Sequence, residues 1–225
     1  MAKLVYQRKN GKWEARYRKA KLDNGKILYG TVYGDTEAEA IARRIELLGY
    51  DPDGVGIPAE MNLIIIGAGV HGHDCKEIAE SLRIFKKIKF LDDIVKDNDD
   101  VIGKTDDIEK YRYKFPCAFV AIGDNEARKR FVVKLKELNF ILPSLVSPSA
   151  NISSKAVIGD GVVIFPQCTI NDAVIGDFSI LDTNTLINSG TKLGDYTRVD
   201  CGGIVLKGIS TPENTWIKSG EIYKK

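Results

Sequence analysis

From Ile152 onward an aliphatic side chain returns at every sixth position. The series runs Ile152, Ile158, Ile164 and Ile170, slips by one residue, and resumes as Ile175, Leu181, Ile187, Leu193, Val199, Val205 and Ile217, with Thr211 as its one interruption. Helices repeat at 3.6 residues and strands at 2, so a period of six belongs to neither alone. The repeating unit must be a short strand plus a turn, stacked on copies of itself as a parallel β-helix. Gly159-Asp160, Gly176-Asp177 and Gly194-Asp195 follow directly after the inward aliphatic. A coil bends there, and glycine at the bend suggests positive φ. An ordinary β-sandwich would space its strands more widely and less evenly.

Upstream of this array the chain changes character twice. Asp51 to Glu60, with Pro52, Gly54, Gly56 and Pro58, is a boundary by composition. Asn62 to Ile66 is an unbroken apolar run of the kind buried in parallel sheets. It leads straight into Gly67-Ala-Gly69-Val-His71-Gly72 and a helix from about Asp74 to Leu82. A G-x-G-x-x-G motif between strand and helix lets amides at the helix N-terminus hold phosphate oxygens. A second strand, Ile88 to Leu91, ends in Asp92-Asp93, where a carboxylate can accept from a ribose or sugar hydroxyl. A third, Ala118 to Ile122, ends in Gly123-Asp124-Asn125 before a helix bearing Arg128. These loops belong to one edge of a small parallel sheet, the edge at which open α/β folds bind ligands. A purely structural glycine turn with surface acids is the alternative.

The first fifty residues form a third part. Lys3 to Arg8 and Lys12 to Lys19 alternate around Asn10-Gly11, a strong hairpin signal. A turn at Asp23-Asn24-Gly25 leads to Ile27 to Tyr33. Thr36 is an expected N-cap, with Glu37 and Glu39 in the first turn, for a helix whose apolar face is Ala40, Ile41, Ile45 and Leu48 and which Gly49 ends. Lys12, Glu14, Arg16 and Arg18 share one face of the second strand. Trp13, Ala15 and Tyr17 share the other, which should pack on the helix. Eleven Lys and Arg against six Asp and Glu leave residues 1–50 at +5, while the whole chain of 225 residues carries only +2. Bulk charge therefore points to no polyanion partner, and any such role is local.

At 44 % apolar and 28 % charged the chain can bury a substantial core. No stretch approaches the ~18 continuous apolar residues of a membrane span. With a polar, basic start, a cytoplasmic location and no membrane partner are expected. Cys75, Cys117, Cys168 and Cys201 are far apart without a C-x-x-C pair, and His71 and His73 are the only histidines, so reduced, mostly buried thiols and no metal are expected. Cys201 is placed as filler inside the prism, and His73 as exposed. Trp216 either stacks on an adenine or caps the open end.

The I-G-D-x-x-x hexads resemble left-handed hexapeptide-repeat proteins. Together with Gly67 to Gly72, Phe90-Leu-Asp-Asp93, Ala121-Ile-Gly-Asp-Asn-Glu-Ala-Arg128 and Ser147-Pro-Ser-Ala150, residues 61–222 resemble the sugar acyltransferases of the sialic-acid O-acetyltransferase type, which include acetyltransferases of nucleotide-linked amino sugars. The resemblance implies a homotrimer that moves an acetyl group from acetyl-CoA to a nucleotide sugar. Gly67, Gly69, His71, Gly72, Asp92, Asp93, Gly123, Asn125 and Arg128 would shape the nucleotide-sugar site. The Arg8 to Arg18 and Val32 to Ala40 segments resemble the arm-type DNA-binding domain of tyrosine integrases, which would make Arg16 and Arg18 groove contacts. A solvated face on a small accessory domain is the alternative.

One departure from the acyltransferase pattern is chemical. The V-x-H-[DE]-x-x-I-G-[DE] stretch that carries the family's base is here Ile187-Asn-Ser-Gly-Thr-Lys-Leu-Gly-Asp195. Ser189 takes the histidine's place and Gly190 the acid's, Arg198 stands where some members carry another histidine, and Ser147 replaces the histidine of H-P-S-A. A serine hydroxyl is too weakly basic, because a useful base titrates near the operating pH. Asp182, Asp200 or Cys201 could serve from a neighbouring coil, or the acceptor could be a partly deprotonated amine, or transfer has been lost. The last case leaves a sugar-nucleotide or CoA-binding scaffold. A nicotinamide oxidoreductase rests only on the glycine loop. The expected architecture is α/β plus β: a three-stranded sheet with a helix (1–50), a linker (51–60), a small Rossmann-like parallel domain (61–148) and a left-handed parallel β-helix (149–225).

Overall fold

The computed structural model describes residues 5–21, 27–48, 61–94, 100–112 and 114–224, and it forms two compact units, residues 1–62 with 113–116 and residues 63–112 with 117–225. The turn at Asp23 to Gly25, the residues expected to form the linker, Gly49, and the side chains of Arg18, Ile41, Ile45 and Leu48 lie outside the described residues.

In the first unit β1 (Val5–Gln7) and β2 (Trp13–Lys21) pair antiparallel with Val5 opposite Ala15, and Gly11 closes the hairpin at φ +83°. β3 (Ile27–Gly34) adds to β2, and α1 (Glu37–Leu48) follows. Thr36 Oγ1 accepts the Glu39 amide at 3.1 Å, and Glu39 reaches back to the Asp35 amide at 2.8 Å, so the expected cap is present. Val5, Ala15 and Ala40 form the small core, with Trp13 and Val32 against it. The opposite face is not the free basic rib expected from alternation. Glu14 is fully buried, and Tyr6, Arg8 and Arg16 all bond its carboxylate.

β4 (Met61–Ile66), buried along its whole length, leads into the second unit, where α2 (Val70–Ser81) starts one turn earlier than expected. β5 (Phe85–Leu91), the short α3 (Ile108–Tyr111), β6 (Cys117–Val120) and α4 (Asn125–Glu137) complete a three-stranded sheet in the order β5, β4, β6, with β4 parallel to β6.

The remaining chain makes two-residue rungs in three parallel sheets, which close into a left-handed parallel β-helix. One face stacks Leu145, Val163, Ile180, Arg198 and Trp216 outward. A second stacks Asn151, Thr169, Leu186, Ile204 and Ile222, and the third stacks Val157, Val174 and Lys192. The hexad aliphatics are the inward partners, and most are buried, as is Thr211 in the one polar slot. The slip between Ile170 and Ile175 makes one coil a residue shorter than the next, as Ile164 opposite Leu181 and Leu181 opposite Val199 show.

The glycines of the Gly-Asp pairs serve a different purpose from the one their bends suggested. Positive φ falls two residues later, at Gly161, Phe178 and Tyr196. Gly176 is required because a Cβ there would lie 2.5 Å from the Gly194 carbonyl carbon of the next coil, and one on Gly194 would lie 2.6 Å from that of Pro212. The aspartates lace the coils together. Asp177 Oδ1 accepts the Asp160 amide at 3.0 Å, and Asp195 Oδ1 accepts that of Asp177 at 2.9 Å.

Candidate functional site

The loops after β4, β5 and β6 are bonded into one edge. Gly67 N donates to Leu91 O, Ala121 N to Ile66 O, and Asp92 N to Gly103 O. Gly67 sits at φ +100°, where a Cβ would lie 2.8 Å from Ala121 O, and a Cβ on Gly72 would collide with Gly67 O. Both glycines are therefore required by the fold. Gly69 is exposed, and a Cβ there would meet nothing within 4 Å. The backbone at Gly69, N-cap of α2, is uncovered and lies beside first-turn amides that a helix cannot satisfy internally.

The acids at this edge hold the loops. Asp92 accepts from Ala68 N at 2.7 Å and from Ile94 N at 2.8 Å. Asp93 takes the amide and hydroxyl of Thr105 at 3.0 and 2.8 Å. Arg128 is 2 % exposed and donates to five acceptors, including Asn125 Oδ1, while Asn125 Nδ2 donates to Asn214 O. These residues shape the edge from beneath.

Arg198, outward from a β-helix rung, is the cation that reaches it. Its Nη1 lies so close to Gly123 that a Cβ there would be 2.7 Å away. Nε donates to Asp200 Oδ1 at 2.6 Å, and Trp216 Nε1 donates to Asp200 Oδ2 at 2.8 Å, so both Asp200 oxygens are engaged. Trp216 is half exposed on a side face and carries Lys218 2.8 Å over its ring, so it does not cap the prism. Sequence reasoning treated Arg198 only as a replaced histidine. The separation of 198 from 123 hides their meeting, and the only local signal is an arginine at an outward rung position.

Below this edge a cleft of about 480 Å³ runs between α2 and the first coils. Asp74, Glu77, Ile78 and Ser81 line it from α2, and Ser147, Ser149, Phe165, Asp182 and Thr183 from the coils. Its charged groups are carboxylates and its neutral polar groups hydroxyls, a lining suited to an ammonium or a polyhydroxylated ring. His71 lies one turn before Asp74 and Cys75 on α2, with its ring 5.6 Å from that of Phe165. Burial, reinforced by Arg198 and opposed by Asp182, lowers the His71 pKa below its ordinary value. Cys75 Sγ is 3.8 Å from His71 Nε2, and burial pushes that thiol up. His73 is exposed, with its ring 4.9 Å from Phe90.

Asp182 Oδ1 accepts the Thr183 amide at 2.7 Å. Cys201 is exposed at a corner rather than filling the prism, and burial together with the neighbouring Asp182 raises its pKa. Cys75, Cys117 and Cys168 are buried free thiols. Ser189 sits at a different corner, after the Leu186–Ile187 rung, half buried, and it does not line the cleft. Among the described residues no group of three His, Cys, Asp or Glu could hold a metal ion, and no helix is long and apolar enough to cross a membrane.

Residues 62–135 match the family described as PglD N-terminal domain. The acetyltransferase domain of PglB from Neisseria gonorrhoeae is 26 % identical over 73 % of this chain and 92 % of that one, with a TM-score of 0.61. A mutant of GDP-perosamine N-acetyltransferase from Caulobacter crescentus, in complex with CoA and GDP-perosamine, is 23 % identical over 76 % of this chain and 90 % of that one, with a TM-score of 0.64. PerB from the same organism, also with CoA and GDP-perosamine, gives 23 %, the same coverages and 0.60. This chain therefore shares its fold with these acetyltransferases.

Proposed function

We infer that the chain transfers an acetyl group from acetyl-CoA to a nucleotide-linked amino sugar. The observation that carries this reading is the polarity of the site. Open amides at Gly69 and the Arg198 guanidinium at Gly123 suit a diphosphate, and the adjoining cleft of carboxylates and hydroxyls suits an amino sugar. The two requirements meet in one molecule, a nucleotide amino sugar, and the similar Caulobacter protein was crystallised with a ligand of that class and CoA. Acetyl-CoA would lie in the groove between neighbouring coils, and a homotrimer in the cytoplasm is part of the same reading. Its support is the exposed Ile222, Val157 and Val174 on outward faces, which another copy would cover.

In the reaction the amine attacks the thioester carbonyl, a base takes its proton, and a backbone N–H steadies the oxyanion. Incubating the protein with acetyl-CoA and a panel of nucleotide amino sugars, with free thiol as the readout, tests this. Turnover with at least one acceptor supports it. A second reading, a scaffold that binds sugar nucleotide or CoA without turnover, is favoured by Ser189 and Gly190 at the positions where the resemblance expects an imidazole and an acid. Saturable CoA binding without thiol release would select it.

A further inference from the structure

If the chain is an acetyltransferase, its base must come from somewhere other than Ser189. We propose that His71, supplied by α2 rather than by the β-helix, is the general base that accepts the acceptor amine's proton. This assignment rests on the acetyl-transfer reading above.

Three observations on geometry carry it. His71 is separated by one helical turn from Asp74, which lines the cleft, and its ring lies 5.6 Å from Phe165, which lines the same cleft from the coil side. The other histidine, His73, turns to Phe90 instead. Asp200 is committed to Arg198 and Trp216, and Cys201 sits exposed at a coil corner with Asp182 beside it. Ordinary carboxylates titrate near 4, far from the operating pH, which disfavours a bare aspartate in this role. An imidazole is suited to it.

The surroundings keep that imidazole neutral. From the coils it is faced by Arg198 and Asp182, from its own helix by Asp74 and Cys75, and from α4 by Arg128. Burial and the two arginines favour the uncharged ring over the opposing pull of the two aspartates. In the tautomer that donates from Nε2 to Cys75 Sγ, 3.8 Å away, Nδ1 is the nitrogen that takes the proton. The step balances without a further reagent. The amine nitrogen forms a bond to the acetyl carbonyl carbon, the carbon–sulfur bond breaks, and the proton passes from nitrogen to His71 and on to the departing CoA sulfur, which leaves as the thiol.

The test compares wild type, His71→Gln and His73→Gln in steady-state thiol release across pH 5 to 9. CoA and nucleotide-sugar binding are measured by calorimetry on each, to show that each is folded. The expected result is a fall in kcat of about 100-fold or more for His71→Gln with binding retained, and no change for His73→Gln. Wild-type kcat/KM should drop tenfold per pH unit on an acid limb that lies below the ordinary imidazole range, as the lowered His71 pKa requires, and that limb should be missing from the residual activity of His71→Gln. A His71→Gln enzyme that turns over at the wild-type rate, or that keeps the acid limb, overturns the assignment while leaving acetyl transfer standing. Wild type that binds CoA yet acetylates nothing in the panel overturns the transfer reading, and the base assignment with it.

Discussion

Arg128 Nε donates to the Phe178 carbonyl at 2.9 Å, across the junction between α4 and a β-helix turn whose backbone sits at φ +57°. The rest of the guanidinium goes to Ile122 O, Gly123 O, Asn125 Oδ1 and Tyr196 O, so that every one of its N–H groups has an acceptor and none of these is a carboxylate. Burial, reinforced by the nearby Arg198 and only partly opposed by Tyr196 and Asp124, pulls Arg128 down to about 10. The planar fork therefore fastens the loop between β6 and α4 to the Phe178 and Tyr196 turns, whose rings stack at 5.3 Å.

An ammonium cannot copy this. Lysine offers three donors from one point and would leave at least two buried carbonyls unsatisfied. Arg128→Lys should lose about 3 kcal/mol in denaturant unfolding. A loss below about 1 kcal/mol would show that the clamp is not structural.

The coil glycines give a paired expectation. Gly176→Ala places a methyl 2.5 Å from backbone of the next coil, which cannot move without parting the stack, and should cost about 3 kcal/mol. Asn184, at φ +62° on a corner, should accept glycine within about 1 kcal/mol. Thermal unfolding of the two variants reverses this order only if positive φ, rather than close approach, is what the Gly-Asp pairs provide.

This contrast also shows what a sequence can and cannot display. The prism was legible because its period of six is imposed by every coil on the next, and Ile164, Leu181, Val199 and Ile217 stack as the spacing demands. The hairpin and the Thr36 cap were legible because their partners lie within a few residues. Asp92 looks the same in sequence whether it receives a ribose hydroxyl or the Ala68 amide. Arg128 looks the same whether it meets a phosphate or five internal acceptors. Glu14 alternates like a solvent-facing residue because strand periodicity records direction, not what covers the face. The meeting of Arg198 with Gly123 depends on how a helix of coils docks on a sheet, and no local pattern reports that.

Asp92 therefore acts first on the loop. Asp92→Ala orphans the amides of Ala68 and Ile94 and should cost about 2 kcal/mol. Nucleotide-sugar affinity, measured by calorimetry, should fall with it because Gly67 to Gly69 lose their anchor. Stability unchanged with affinity lost would instead indicate direct contact with ligand.

In the first unit, burial raises the Glu14 carboxyl, and hydrogen bonds from Tyr6, Arg16 and Arg8 outweigh it, holding the group below its usual range. Glu14→Gln leaves two guanidiniums without a countercharge. It should lower the stability of this unit at neutral pH by about 2 kcal/mol in denaturant unfolding. A loss of the same size at a pH where the wild-type carboxyl is protonated would assign the contribution to packing rather than to charge.

Asp100 links α2 to β5, accepting from Lys76 and, at 2.5 Å, from Lys89. Those two hydrogen bonds lower its pKa from 3.8 to about 2. A carboxylate whose folded pKa is depressed contributes stability that is complete above its unfolded pKa and is lost as pH falls through the folded one, so the window is pH 4 to 2. The side chain is 31 % exposed, and solvent screening reduces the linkage to about 1 kcal/mol. Asp100→Asn should therefore be less stable than wild type by about that amount at pH 7, and the two unfolding curves should converge below about pH 2. A gap that persists at acid pH would assign the contribution to packing of the side chain rather than to its charge.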